Sequence, residues 1–280
     1  MLWVYSACDR LKFLVTADWH MLDQVGANPP NIRTKEGNLI SQSNLQKLTF
    51  EGAQKICKDI GKTDGAIIDG DLAAGKDPKQ YGIPLSDADT DNQVEAAYQF
   101  YKETIYKYCN PDYAFITMGT PYHVLVGIGG NLDYQIALRI SELTPVLFGY
   151  PNLNVYLGSD KLLWNIQHRM AVTKDPMGPL VRTFETYARL EMESLAGSME
   201  NIPTVICRAH IHKPQLPAPI AGGKRWFLCA PPLKHLGIYE GLLPYPTKAS
   251  IGLMEVIQEK GSLQGKFYPI EIRKKEIEKI

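Results

Sequence analysis

Leu11-Lys12-Phe13-Leu14-Val15-Thr16-Ala17-Asp18-Trp19-His20 reads as a short apolar strand that ends on a carboxylate and an imidazole. Residues 11–17 carry the aromatic and β-branched side chains that suit a buried strand. A polar stretch to about Ser43 follows, and then Leu45, Leu48, Ala53, Ile56, Cys57 and Ile60 are spaced to share one helical face. Strand then helix is a βα unit, and the unit recurs. Residues 66–69 predict a second strand. Val94, Ala97, Tyr98, Tyr101, Ile105 and Tyr108 predict a second helix that stops before Pro111, and residues 113–118 a third strand.

Farther along, strands are expected at 154–157, 162–166, 203–207, 225–229, 251–257 and 266–272. One helix interrupts them at about 183–197, capped by Thr183 and ended by Gly197. Gly and Pro concentrate at 170–182, 213–223 and 231–247, which read as loops. The expectation is an α/β protein of two packed sheets with helices outside, forming one domain over 1–280 with its core at about 11–272.

Composition sets outer bounds. With 280 residues, 45% hydrophobic and 21% charged, the chain is neither disordered, collagen-like nor coiled coil. No apolar run reaches the ~18 residues of a membrane helix, and Asp9 and Arg10 break the apolar start before it could form a signal-peptide core. A cytoplasmic protein without a membrane partner is expected. Equal numbers of basic and acidic residues, 30 of each, argue against nonspecific coating of nucleic acid. The five cysteines include no C-x-x-C pair and read as small core residues.

The informative pattern is where polar residues fall. Ligands of open α/β sheets sit beyond the carboxyl ends of strands. Here those ends deliver Asp18-Trp19-His20, Gly70-Asp71, Gly119-Thr120-Pro121-Tyr122-His123, His168, and Ala209-His210-Ile211-His212. Five of the six histidines therefore follow a predicted strand, and only His235 does not. In extended chain, Asp18 and His20 would point the same way, as would His210 and His212, so each pair could grip one ion. Mixed carboxylate and imidazole ligands suit Mn, Fe, Zn or Ni better than Ca or Mg. Each residue has a plainer reading too: Asp18 or Asp71 as a helix cap or turn residue, a lone histidine as core, Trp19 and Tyr122 as packing rather than ring-stacking groups.

The ordered set resembles the calcineurin-like metallophosphoesterase superfamily. The matching residues run from 11 to about 214: Asp18-Trp19-His20, Gly70-Asp71, Gly119 with His123, His168, and Ala209-His210-Ile211-His212. The resemblance implies a four-layer αββα sandwich of two mixed β-sheets flanked by helices. It also implies two divalent transition-metal ions, with manganese first and iron, zinc or nickel as alternatives. Asp18, His20 and His212 would hold one ion, His168 and His210 the other, and Asp71 would bridge them. The implied chemistry is hydrolysis of a phosphate ester by a metal-bound hydroxide attacking phosphorus, with His123 the catalytic group that protonates or positions the leaving oxygen.

The family's third element is Gly-Asn-His followed by an acid. Here Thr120 takes the asparagine's place as a metal ligand, His123 lies two residues late, and Ala209 replaces the usual glycine of the last element. Arg169 and Arg208 flank the motif histidines and, with Tyr122, are candidates for substrate contact. Residues 21–42, 76–92, 170–182 and 213–223 would form the rim. The expected substrate is a nucleotide or nucleic-acid phosphodiester, with phosphomonoesters second. The alternatives are a non-catalytic relative that keeps metal in a binding or structural module and, more distantly, an amidohydrolase or metallo-β-lactamase type of metallohydrolase.

Overall fold

The computed structural model describes residues 2–4, 8–34, 36–75, 85–121, 125–126, 130–168, 203–210, 212, 214–220, 223, 225–235 and 250–272. In chain order the strands are β1 (Leu2–Val4), β2 (Arg10–Thr16), β3 (Gly65–Asp69), β4 (Tyr113–Thr117), β5 (Leu125–Val126), β6 (Gly130–Asn131) and β7 (Val146–Gly149). They continue with β8 (Leu153–Leu157), β9 (Leu162–Gln167), β10 (Val205–Arg208), β11 (Gln215–Ile220), β12 (Arg225–Cys229), β13 (Gly252–Glu259) and β14 (Ser262–Pro269). The helices are α1 (Asn44–Ile60), α2 (Thr90–Tyr101) and α3 (Leu132–Ile140); α2 runs on through a π turn, Lys102–Tyr106, and a last turn, Lys107–Cys109.

These strands build an α/β sandwich of two mixed six-stranded sheets, ordered β14-β13-β2-β3-β4-β7 and β1-β8-β9-β10-β12-β11. Strands β2, β3, β4 and β7 run parallel, as do β9, β10 and β12. Side-chain alternation divides the core into two layers. Phe13, Val15, Ile67 and Phe115 face the second sheet, where Phe13 meets Trp164 with ring centroids 5.5 Å apart. Leu14, Ala66, Ile68 and Ile116 face the helices, against Phe50, Ala53, Phe100 and Ile136. Leu163, Ile206 and Phe227, on the far side of the second sheet, are buried too, as in a sheet covered on both faces. The helix expected at 183–197 lies outside the described residues.

Local chemistry explains the boundaries. Ser43 caps α1 in a reciprocal box: its hydroxyl accepts the Gln46 N–H while Gln46 Oε1 accepts the Ser43 N–H at 2.6 Å. Asp89 caps α2 by accepting the N–H groups of Asp91 and Asn92. One expected loop is a strand. Residues 215–220, inside the Pro-rich stretch 213–223, form β11 on the edge of the second sheet, where Pro217 and Pro219 need not donate to a neighbour. The cysteine expectation needs one correction: Cys57, Cys109, Cys207 and Cys229 are buried, but Cys8 is exposed. No helix among the described residues is long and apolar enough to cross a membrane.

Candidate metal centre

The carboxyl ends of β2, β3 and β4 in one sheet, and of β9 and β10 in the other, open on the same spot. Backbone pairing between the first two strands outlasts the strands themselves. Asp18 N–H donates to the Gly70 carbonyl and His20 N–H to the Asp71 carbonyl, each at 3.0 Å. Two contacts then tie the sheets together: His210 N–H donates to Asp18 Oδ2 at 3.3 Å, and His168 Nδ1 hydrogen-bonds the Asp69 carbonyl.

The paired motif residues are not extended, which corrects the strand-alternation argument. Asp18, His20, Asp71, His210 and His212 all have left-handed backbones, with φ of 48°, 46°, 53°, 74° and 52°. Asp and His tolerate this region better than most residues, yet it is sparsely occupied by any side chain other than glycine. Half of the ten described non-glycine residues with positive φ are these five, so backbone strain concentrates at one place. The chain turns sharply after β2, β3 and β10, and those turns aim the side chains at a common point.

Ligand atoms converge in two overlapping groups. Asp18, Asp71, His168 and His210 form one, Asp18, His20 and His212 the other, with the atoms of each group within 4.8 Å of one another. His212 Nε2 lies 3.1 Å and His168 Nε2 3.6 Å from Asp18 Oδ1; His20 Nε2 lies 3.7 Å from the same oxygen. The carboxylate common to both groups is Asp18, whereas the family resemblance gives that position to Asp71. Asp71 is nonetheless 4.0 Å from His20 Nε2.

The donor chemistry fits a cation. His168 Nδ1 is committed to the Asp69 carbonyl, so in the neutral ring the lone pair is on Nε2. That buried Nε2 makes no hydrogen bond, although Asp71 Oδ2 is 2.9 Å away. A lone pair facing a carboxylate oxygen is repulsive unless positive charge lies between them, either a proton or a metal ion. Burial opposes a charged His168, yet Asp71 and Asp18 push its pKa well above the ordinary value. Asp18 behaves in mirror image: burial raises its pKa, but His212 and His168 hold it well below the usual carboxylate range. His210, with burial and the neighbouring His168 both against its charge, is pushed below the ordinary imidazole value.

Thr120 is buried and turned to Asp71. Its N–H donates to Asp71 Oδ1 at 2.7 Å, and its hydroxyl lies 3.0 and 2.9 Å from the two carboxylate oxygens. Glycine is needed beside it, since a Cβ on Gly119 would lie 2.0 Å from Asp71 Oδ1 and one on Gly70 would lie 2.7 Å from the Gly119 Cα. Ala209 is fully buried in the layer between the sheets. Arg208 is also buried, with Nη1 donating to the carbonyls of Cys207 and Asn165. Trp19 belongs to the core: its ring packs 4.9 Å from Phe100 and its N–H donates to Thr16. His123, Tyr122 and Arg169 lie outside the described residues.

Two acids escaped the sequence reading. Asp69, the last residue of β3, is fully buried, accepts the Thr117 hydroxyl at 2.5 Å and is pushed up to about 6 by burial. Asp133 accepts the N–H groups of Asp71, Leu72 and Gly119 at 3.1, 3.0 and 2.8 Å. Burial and the charge of Asp71 raise it to about 7. A signal for Asp133 was present. Gly130-Asn131-Leu132-Asp133 has the Gly-Asn-x-acid order of the family's third element, with leucine in the histidine's place. Asn131 caps α3 by accepting the Tyr134 N–H, and Leu132 is buried in the helix-side core.

No protein-family model and no curated protein matches the chain. Among solved structures, the chain is similar to a Streptococcus pneumoniae protein described as a predicted phosphoesterase: 12% identity, 95% of this chain and 94% of that one covered, TM-score 0.40. It is also similar to a Thermotoga maritima protein solved by solution NMR, at 14% identity over 92% of this chain and 99% of that one, TM-score 0.35.

Proposed function

We propose that the protein is a dimetal phosphoester hydrolase, with phosphodiesters of nucleotides or nucleic acid as the first substrate class and phosphomonoesters as the second. The observation that carries this reading is the pair of overlapping Asp/His groups sharing Asp18. Asp18, His20 and His212 would hold one cation, and Asp71, His168 and His210 the other, with the shared Asp18 carboxylate between them. Manganese fits this ligand mixture first, with iron, zinc or nickel as alternatives. Bound cations would supply Lewis acidity toward a phosphoryl group and lower the pKa of water toward 7.

The chain's own residues prepare that chemistry. Asp18 and Asp71 bring two negative charges, fewer than the four positive charges of two divalent ions. Asp69 and Asp133, buried beside these ligands, add further negative charge as they ionise, so the carboxylates together would offset most of that positive charge and leave the ions themselves to attract a phosphate anion. The Asp69 carbonyl orients His168 so that Nε2 faces the site. Thr120 donates to Asp71 and so fixes the direction of its carboxylate. His123 remains the proposed proton donor, and Tyr122 and Arg169 the proposed substrate contacts, whereas the buried Arg208 is held on the carbonyls of Cys207 and Asn165. Manganese-loaded protein should hydrolyse bis-p-nitrophenyl phosphate or single-stranded DNA above an Asp71→Asn control; equal rates for both proteins would refute the reading.

A second reading, a metal-containing binding module without turnover, is favoured by two features. The Thr120 hydroxyl is engaged with Asp71, and Leu132 stands where the family's motif order places histidine. Metal analysis separates the two: two retained ions with turnover support the hydrolase, whereas one ion with no turnover supports the module.

A further inference from the structure

We propose that Asp133 is a positioning residue, whose buried carboxylate gathers the N–H groups of Asp71, Leu72 and Gly119 and so sets the geometry of the Asp/His site. The inference deepens the metal-site reading and rests on it for its consequence, though not for its geometry. Ladder pairing between β3 and β4 ends at Asp69 opposite Thr117. Beyond that point Gly70 and Asp71 turn left-handed, with φ of 72° and 53°, and the N–H groups of Asp71 and Leu72, with that of Gly119, turn to a side chain instead of a neighbouring strand. They are buried, and buried donors need acceptors. One carboxylate accepts three of them: Oδ2 from Asp71 and Gly119, Oδ1 from Leu72.

The consequence travels one residue further. Fixing Gly119 N fixes the next peptide, whose Thr120 N–H donates to Asp71 Oδ1 at 2.7 Å. Asp133 thus holds Asp71 twice, at its backbone directly and at its carboxylate through Gly119 and Thr120. It is not itself in either converging group. Its anchor is rigid, because it occupies the second residue of α3, whose Leu132, Ile136 and Ile140 are buried against the sheet. Asparagine would keep the size but replace one acceptor oxygen with an NH2 that faces a backbone N–H.

The test uses the full chain as wild type, Asp133→Asn and Asp133→Ala. Manganese affinity is read from the electron paramagnetic resonance signal of free Mn2+. Residue-resolved amide exchange of the metal-free proteins is read at 71, 72 and 119, with α1 as internal reference. Asp133→Asn should bind Mn2+ about 10–100-fold more weakly and lose about tenfold or more of its protection at those three amides, with α1 unchanged. Asp133→Ala, if it folds, should lose more of both. Wild-type Mn2+ affinity in Asp133→Asn overturns the proposal, as does an equal loss of protection in α1, which would mark a general stability role. Should wild type itself fail to bind Mn2+ while the three amides lose protection in Asp133→Asn, the hydrolase reading falls and the positioning role stands.

Discussion

His168 and His235 are both largely removed from solvent, yet their surroundings drive them in opposite directions. His168 sits between Asp71 and Asp18 and is pushed well above the ordinary imidazole value despite burial. His235 has burial alone acting on it and falls to about 4, its Nε2 resting 2.9 Å from the Thr49 hydroxyl. Burial by itself gives a neutral, structural histidine; burial beside two carboxylates gives a site that demands positive charge. Position relative to the acids, more than histidine content, separates the candidate metal centre from the core.

The contrast breaks most directly at Asp71. Asp71→Ala should weaken Mn2+ binding by more than about 100-fold, beyond the usual cost of losing an outer-shell partner, as read by metal analysis after dialysis. Retention of two ions would show that the two histidine environments do not differ in the way described. Gly119→Ala comes next. Its new Cβ, 2.0 Å from Asp71 Oδ1, must displace that carboxylate. Calorimetry should show a stability loss of about 1–3 kcal/mol, accompanied by weakened Mn2+ binding.

Thr120→Val keeps the backbone N–H but removes the hydroxyl from Asp71. A hydrogen bond to a charged group is typically worth about 1.5–3 kcal/mol, so a titration should show Mn2+ affinity reduced about tenfold. Binding equal to wild type would assign the orientation of Asp71 to backbone donors alone.

The smallest expected effect sharpens the other side of the comparison. His235→Gln should leave metal content unchanged and alter only acid stability. The folded protein holds His235 neutral down to about pH 4, while the unfolded chain protonates it near 6.5. Its favourable contribution is therefore complete above about pH 6.5 and lost as pH falls toward 4, amounting to about 2–3 kcal/mol. Denaturant melts across that window should be flatter for His235→Gln than for wild type, and an equal slope would mean that His235 is not buried neutral.

Much of the fold was legible because hydrophobic period survives in sequence. The run at 11–17 appears as β2, the helical face from Leu45 to Ile60 as α1, and the run at 113–118 as β4. What escaped was short or at an edge. β7 has four residues and lies on a sheet edge, β11 is Pro-rich and also at an edge, and α3 is a nine-residue helix directly after the two-residue β6. Such elements draw their stability from neighbours rather than from their own pattern. For the site, residue types and order pointed to Asp18, His20, Asp71, His168, His210 and His212, which the fold brings together. Asp133 escaped because leucine replaces histidine in its Gly130-Asn131-Leu132-Asp133 order, and because the backbone N–H groups it accepts lie 14 to 62 positions away, a contact that no spacing rule encodes.

The linear order of residues was enough to name which side chains follow strands and which ligand chemistry they offer, because strand and helix periods are local properties. Only the tertiary structure decided how those side chains are aimed. Left-handed turns at five of them, the sharing of Asp18 between the two groups, and the capture of Asp71 by Thr120 and Asp133 all depend on backbones meeting at the junction of two sheets, where distance in space has no counterpart in distance along the chain.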